Sequence, residues 1–305
     1  MYLLQRLAFM VLVVWLAATL AFFMLRVLPG DAIQAQLARG GVSATVIEAR
    51  RAEQGLTDPV VIQYGRFLTQ ALQGNLGYSL LTREPVTQML LRDLYPTFEL
   101  ALSALVVASG LGLLLGVAGA LDLCWGVSSV ARLLTSLSLS TPVYWTGTLA
   151  IYLFTVVLGL LPSAGAGRLS QLILPVAILG FHVAGAIARM IQVSVRQAMN
   201  ADFVRTARGK GLPETQVIAR HALRVGLLPA ISVTALQAGF LLSGTVIVET
   251  LFVRPGIGRL LLNSTIQQDY PVVQGVVLLS ALVYVIVNTL ADALTSVFDP
   301  RVAIQ

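Results

Sequence analysis

Long runs of apolar residues alternate with short polar stretches along most of the chain. The apolar runs cover residues 7–25, 98–121, 133–160, 171–193, 227–250 and 272–298. An α-helix needs about 20 apolar residues to cross a bilayer, and each run reaches or approaches that length. Because lipid tolerates only helices or closed barrels, the pattern predicts an all-α integral membrane protein with six transmembrane helices.

Details of three runs refine this prediction. The first is longer than the roughly 7–15 apolar residues of a signal peptide, which favours a retained helix over a cleaved leader. The second is expected to begin at Pro96, with Glu99 in its first turn. It contains Gly112 and Gly116, whose spacing either lets another helix approach closely or marks a helix that merely tolerates glycine. Pro142 is expected to kink the third run.

Residues 29–95 form the only long polar segment. Its arginines and acids balance at six each, and a neutral segment of this length can be translocated. The sequence therefore predicts an extracytoplasmic cap, with helices over 43–54 and 59–72 and a turn at 74–77. The expected division is 1–28 for the first transmembrane helix, 29–95 for the cap and 96–305 for a core of five transmembrane helices.

A basic island lies between the fourth and fifth apolar runs. Residues 187–230 hold seven basic side chains and only two acids, Asp202 and Glu214. Lys/Arg-rich loops stay inside, so the island and both termini are predicted to be cytoplasmic. Apolar residues at helical spacing from Phe203 to Leu212 predict a short amphipathic helix that stops at Gly211 and Pro213.

Composition narrows the possible partners. The 305 residues are 57% hydrophobic and 11% charged, and the net charge of +6 comes largely from the basic island. This distribution favours membrane lipid or a docked protein over nucleic acid. Cys124 is the only cysteine, which rules out an internal disulfide.

The sequence has few groups that could carry chemistry. Gly209-Lys210-Gly211 lacks the first glycine and the Ser/Thr of a phosphate-binding loop. Acids in the apolar runs lie near their ends, whereas an ion-coupled carrier is expected to place carboxylates near the midplane. Of the two histidines, His182 is expected to pack or to face the pore, and His221 is expected to brace the loop by capping a carbonyl. No metal site is predicted.

Several strings, in order, resemble one family. They are LPGD at 28–31, GNLGYS at 74–79, YPTFEL at 95–100, RTA at 205–207, KGL at 210–212, RHAL at 220–223, LLP at 227–229, RPGIG at 254–258, DYPVVQG at 269–275 and DPR at 299–301. Together they resemble the B-type permease subunit of the oligopeptide, dipeptide and nickel ABC importers. The central strings resemble the EAA motif, although Arg205 replaces its usual acidic residue.

The resemblance implies a type I importer permease in the bacterial cytoplasmic (inner) membrane that moves di- or oligopeptides, nickel or its chelate by alternating access. It implies no enzyme activity and no cofactor in this chain. Implied partners are a second permease, one or two ATP-binding subunits that carry ATP-Mg, and an extracytoplasmic substrate-binding protein. An ion-coupled secondary transporter is the main alternative, and a non-transporting membrane scaffold is a third possibility.

The same resemblance assigns roles to particular residues. The coupling loop 196–226 would dock on the ATP-binding subunit through Phe203, Val204, Arg205, Thr206, Ala207, Arg208, Lys210, Gly211, Leu212 and His221. Ala207 and Gly211, one turn apart, would leave a shallow notch for the partner. A transport path could be lined by Ser140, Tyr144, Thr234, Gln237, Thr245 and Glu249. The binding protein would contact Arg254, Pro255, Asp269 and Tyr270.

Overall fold

The computed structural model describes residues 2–27, 58–121 and 125–298. The predicted helix over 43–54 and the strings LPGD and DPR lie outside these ranges. The described chain is helical, and its helices are α1 (Tyr2–Val27), α2 (Val60–Leu72), α3 (Val86–Ala120), α4 (Trp125–Ser140), α5 (Val143–Ala150, with a π-helical continuation over Ile151–Val157), α6 (Leu169–Met199), α7 (Asp202–Gly209), α8 (Glu214–Gly226), α9 (Leu228–Gly244), α10 (Val246–Leu251), α11 (Ile257–Ile266) and α12 (Tyr270–Phe298).

Two helix boundaries differ from the sequence-based prediction. Helix α3 begins at Val86, so Pro96 lies inside it rather than at its start. The third apolar run is broken into α4 and α5, because Pro142 caps the start of α5 with an extended ψ of 137°. A proline ring disfavours a helical residue before it, and here it separates two helices rather than kinking one.

Length and apolarity identify fewer membrane-spanning helices than the six predicted. Within the described residues, α3, α6 and residues 270–290 of α12 are long and apolar enough to cross a membrane. The bent pair α8 and α9 makes a fourth span if it is counted as one. Shorter apolar helices cover Ala8–Met24 and Val143–Val157. The count of six therefore stays a prediction.

The chain divides into two compact units. The first comprises Met1–Tyr95 and Gly256–Val285. Within it, α1 packs on α2 through Phe22, which lies edge-on to Tyr64 at 5.3 Å and stacks on Phe67 at 5.5 Å between ring centroids. A second contact region joins the start of α3 to α11 and α12 through Val86, Leu90, Ile257, Val272 and Val276.

The second unit comprises Pro96–Pro255 and Ile286–Gln305, and its core is the packing of α3 on α6. A Cβ atom at Gly112 would lie 2.8 Å from Cβ of Ile187, and one at Gly116 would lie 2.6 Å from Cβ of Ile191. Both distances are too short for a real side chain. The glycine pair therefore permits a close helix approach, which decides between the two interpretations left open by the sequence.

Helix α4 turns its polar face inward. Its buried residues are Ser128, Ala131, Thr135 and Ser138, while Leu133 and other large apolar side chains point outward. The Gln192 amide of α6 donates to the Thr135 hydroxyl at 3.0 Å. An apolar exterior around a hydrogen-bonded interior is what a lipid environment favours.

Candidate functional site

The basic island folds into a compact segment, Asp202–Gly226, which we call the coupling segment. Helix α7 ends at Gly209, and Gly211 follows with a φ of +77°. This left-handed conformation suits glycine, which lacks the Cβ that penalises other residues there. Pro213 then precedes α8 with an extended ψ of 144°. The predicted short helix and its stop at Gly211 and Pro213 are both present.

A small apolar core, the loop cluster, holds the coupling segment together. Its buried members come from α6, α7 and α8, and they are Ala198, Val204, Ala207, Val217 and Ala222, with Leu212 packed against them. Ala207 is only 4% exposed, so it faces this core rather than a partner. The predicted notch at Ala207 and Gly211 is therefore wrong at Ala207, because the small side chain is needed for packing within the chain.

The rest of α7 is exposed and mostly charged. Phe203 is its one large apolar side chain, and 40% of it is accessible. Arg205, Thr206 and Lys210 are also exposed. Arg208 reaches across the turn and donates two hydrogen bonds to Glu214, at 2.6 and 3.1 Å. These bonds hold the pKa of the Glu214 carboxyl below its usual range. The segment thus presents an ordered basic surface around a single aromatic ring.

The two histidines have different environments. Nδ1 of His182 lies 2.9 Å from the carbonyl of Ser138, and its Nε2 lies 2.7 Å from the hydroxyl of Thr146. His182 therefore joins α4 to α5 across the break at Pro142. Nδ1 of His221 is buried without a hydrogen-bond partner. A carbonyl cap by that nitrogen, which the sequence suggested, is not formed.

A cavity of about 490 Å³ lies in the second unit, and Leu227, the residue that follows the coupling segment, lines part of it. Its wall comes from α3, α6, α9 and the end of α12, and it includes Leu105, Ser109, Ile187, Ile191, Ala230 and Thr234. No lining residue is charged. Of the six residues predicted to form a path, Thr234 lines this cavity, Gln237 is half-buried, and Ser140 and Tyr144 are exposed.

The remaining two path residues, Thr245 and Glu249, are buried in a polar cluster. Oε1 of Glu249 accepts hydrogen bonds from the hydroxyls of Thr97 and Thr245, at 2.6 and 2.7 Å. Both Glu249 and Thr245 are almost fully inaccessible. Hydrogen bonds of this kind stabilise a buried carboxyl group and link α10 to α3.

Two of the predicted binding-protein contacts are also internal. Arg254 is 1% exposed and forms an ion pair with Glu99. In the first unit, Asp269 accepts hydrogen bonds from the Ser79 hydroxyl at 2.5 Å and the Leu80 N–H at 3.0 Å. Pro255 is exposed and Tyr270 is half-buried. Neither Arg254 nor Asp269 therefore offers a surface to a partner in this conformation.

Nothing in the described part of the chain resembles a metal centre, since it contains no group of three or more His, Cys, Asp and Glu side chains placed to hold an ion. The described geometry also presents an uncharged cavity and an ordered basic segment.

Comparison with known proteins identifies the family of this chain. Residues 108–304 match the family model described as binding-protein-dependent transport system inner membrane component. The chain belongs to this family. It is therefore the membrane permease subunit of an ABC importer, a multi-pass protein of the inner membrane and not itself an enzyme. The family carries no cofactor of its own and works with ATP-binding and substrate-binding partners.

Relatives match over nearly the whole length. The glutathione transport system permease protein of Pectobacterium atrosepticum is 37% identical, with 99% of this chain and 98% of that protein covered. A Brucella abortus relative, whose name assigns it to a peptide transport system, is also 37% identical, with 98% of each chain covered. Membership in this family decides against the secondary transporter and the scaffold.

Solved structures show the same fold. The inward-facing methionine ABC transporter aligns with a TM-score of 0.59 at 17% identity, over 71% of this chain and 99% of that one. An amino acid ABC transporter aligns with a TM-score of 0.54 at 16% identity, over 70% and 94%. The type I importer permease fold predicted from the sequence is confirmed at this level.

Proposed function

We propose that the permease imports short peptides, with glutathione and dipeptides as the first candidates. Support comes from the two full-length relatives at 37% identity, whose names specify glutathione and peptide transport. The uncharged cavity wall is compatible with a pathway that passes peptides of varied side chains without binding them tightly. Selection among peptides would then rest with the separate binding protein.

We further propose six membrane spans, both termini in the cytoplasm and residues 29–95 as an extracytoplasmic cap. The observation in favour is a concentration of arginine at one end of the helix bundle. Arg132 and Arg196 both donate to the carbonyl of Gly119, at 3.2 and 3.1 Å, near the C-terminus of α3. The exposed arginines of the coupling segment follow α6 in the chain. Clustered arginine marks the cytoplasmic side.

The proposed complex contains a second, homologous permease, one or two ATP-binding subunits that hold ATP-Mg, and a substrate-binding protein outside. The ATP-binding subunit would dock on the exposed face of α7. Phe203 carries this proposal, because it is a large aromatic side chain left 40% accessible on a helix with its own buried core. Aromatic anchors surrounded by polar groups are typical of strongly contributing interface residues. On the extracytoplasmic side of the membrane, the exposed Pro255 is the proposed point of contact for the binding protein.

Docking is tested by replacing Phe203 with Ala in the co-expressed complex. Loss of an aromatic anchor costs about 2 kcal/mol or more, so affinity for the ATP-binding subunit should fall roughly thirtyfold. Substrate-stimulated ATP hydrolysis should fall with it. Val225, which is 48% exposed at the end of α8, supplies the control. Equal losses in Phe203→Ala and Val225→Ala would contradict the docking assignment.

The transport proposal is tested in proteoliposomes that contain the full complex. Uptake of labelled glutathione or a labelled dipeptide should require ATP, the binding protein and both permeases. Uptake of nickel or its chelate, with no peptide uptake, would replace the proposed substrate class. Uptake by the permease alone under a proton or sodium gradient would contradict ATP-driven import.

A further inference from the structure

The helix ladder is interrupted where the coupling segment joins α9. Helices α8 and α9 meet at Leu227 with an angle of 43°. Pro229 has no N–H, so the Val225 carbonyl loses the donor that a continuous helix would supply. The N–H of Ala230 would normally serve Gly226 but donates to Leu227 at 3.1 Å. The Gly226 carbonyl must therefore find a donor elsewhere.

Ser194 of α6 supplies that donor. Its hydroxyl lies 2.6 Å from the Gly226 carbonyl and is buried. The same hydroxyl lies 2.7 Å from the carbonyl of Met190, one turn earlier in α6. Because a serine hydroxyl has one proton, the two carbonyls share it. One side chain thus connects the bend to the helix beneath it.

The backbone at the bend is also pressed against α6. A Cβ atom on Gly226 would lie 2.8 Å from Cα and Cγ2 of Val195. Backbone atoms cannot rotate away as the end of a side chain can, so a larger residue at this position would push α8 off α6. Gly226 and Ser194 together define one close contact, a bend fastened to α6.

The bend lies between the two functional parts of the unit. On one side, the loop cluster joins α7 to α8 through Val204 and Val217. On the other side, α9 contributes Ala230 and Thr234 to the cavity wall. Ile191, one turn before Ser194 on α6, lines the same cavity. A continuous chain of contacts therefore runs from α7 through the bend to the cavity wall.

We propose that Ser194 is a positioning residue for transport, which fastens the bend at Gly226 to α6 and so holds α8 and α9 at a fixed angle, so that a displacement of α8 is passed on to α9. This inference rests on the proposed function, because it assumes that the coupling segment is moved by an ATP-binding subunit. A purely structural hydroxyl would stabilise the fold without affecting how hydrolysis and uptake are coupled.

The first test compares variants in the assembled complex. Ser194→Ala should lower peptide uptake per ATP hydrolysed at least threefold, and Ser194→Thr, which keeps the hydroxyl, should restore most of it. Ser128→Ala is the matched control, since Ser128 is a buried serine whose hydroxyl has no partner. An unchanged ratio in Ser194→Ala, or an equal loss in Ser128→Ala, would overturn the proposal.

The second test needs neither transport nor partners. Spin labels at the exposed positions Gln216 and Ser232, in a Cys124→Ser background, report the distance across the bend in the isolated chain. A locked bend gives a narrow distribution, which Ser194→Ala should broaden. An identical distribution in both proteins would overturn the proposal, even where uptake assays support import. If instead no uptake occurs with any peptide but the bend loosens, the proposed function fails while the role of Ser194 at the bend survives.

Discussion

Two arginine–glutamate pairs in the second unit have opposite surroundings. Arg208 and Glu214 form a pair on the surface of the coupling segment, with side chains 42% and 52% exposed. Arg254 and Glu99 form a pair in which the guanidinium is 1% exposed and the carboxylate 35%. The family resemblance assigns both arginines to partner docking. Only the first lies on a surface that a partner could reach.

The different exposure of the two pairs shows that arginine–glutamate pairs have two roles in this unit. In the coupling segment, small apolar residues supply the core and charges remain in water, as in a soluble domain. Near Arg254, the charge is internal and links the loop after α10 to α3. A buried pair costs much to break and an exposed pair contributes little, so the two regions should respond differently to the same substitution.

The largest effect is expected for Arg254→Met. Removing one partner of a buried pair costs about 3 kcal/mol, because the remaining Glu99 carboxylate loses its counter-charge while still partly buried. Thermal unfolding of the purified permease in detergent measures the loss. Arg208→Met is the matched control and should leave the unfolding temperature unchanged. Similar losses in both variants would remove the distinction between the two pairs.

A second comparison uses one substitution at two places on α7. Ala207→Trp should open the coupling segment, because overpacking a small core typically costs about 1–3 kcal/mol. Phe203→Trp should not, since position 203 is exposed. Limited trypsin digestion of the arginine-rich segment measures the difference. Resistance to trypsin in Ala207→Trp would show that the loop cluster is not what holds the segment.

Two glycines near the end of α7 give a smaller effect. Gly211→Ala places a Cβ at a φ of +77°, which costs about 1–2 kcal/mol. Gly209 lies within the helix and has open space around it, so Gly209→Ala should be neutral or slightly stabilising. Amide hydrogen exchange in the segment measures the effect of each substitution. Faster exchange in Gly209→Ala than in Gly211→Ala would contradict the assigned turn.

The smallest effect concerns pH. The hydrogen bonds from Arg208 lower the pKa of Glu214 in the folded segment. A lowered pKa gives stability that is fully present above the unfolded pKa and is lost as the pH falls through the folded pKa. The opening equilibrium of the segment's amides, obtained by dividing each exchange rate by the intrinsic rate at the same pH, should therefore be flat near neutral pH and rise slightly in acid below the usual glutamate range. Glu214→Gln should remove that rise, and its persistence would assign the change to another group.

Much of the fold followed from hydropathy, and the turn at Gly211 followed from residue type. The boundaries of the helices were harder to predict. The sequence placed the start of the second span at Pro96, but a proline within a long helix can be tolerated when the surrounding structure satisfies the freed carbonyl. A break rather than a kink at Pro142 likewise depends on packing, including the His182 contacts to α4 and α5.

The site was only partly predictable because spacing does not tell which face of a short helix is inward. Ala207 and Phe203 lie one turn apart, yet one is buried and the other exposed. Other contacts join residues that are far apart in the chain. Examples are the ion pair of Arg254 with Glu99 and the hydrogen bond of Ser194 to Gly226. Pro229 was the one local signal for the second contact, since a proline after a polar loop leaves carbonyls without donors.

The central claim is that the exposed face of α7 meets the ATP-binding subunit from the cytoplasmic side. A photo-crosslinking amino acid at Phe203 tests it most directly, with the same group at Tyr78, which is 64% exposed in the first unit, as the control. In membranes that contain the complete complex, the account predicts a crosslink from position 203 to the ATP-binding subunit and none from position 78. No crosslink from 203, or an equal crosslink from 78, would contradict it.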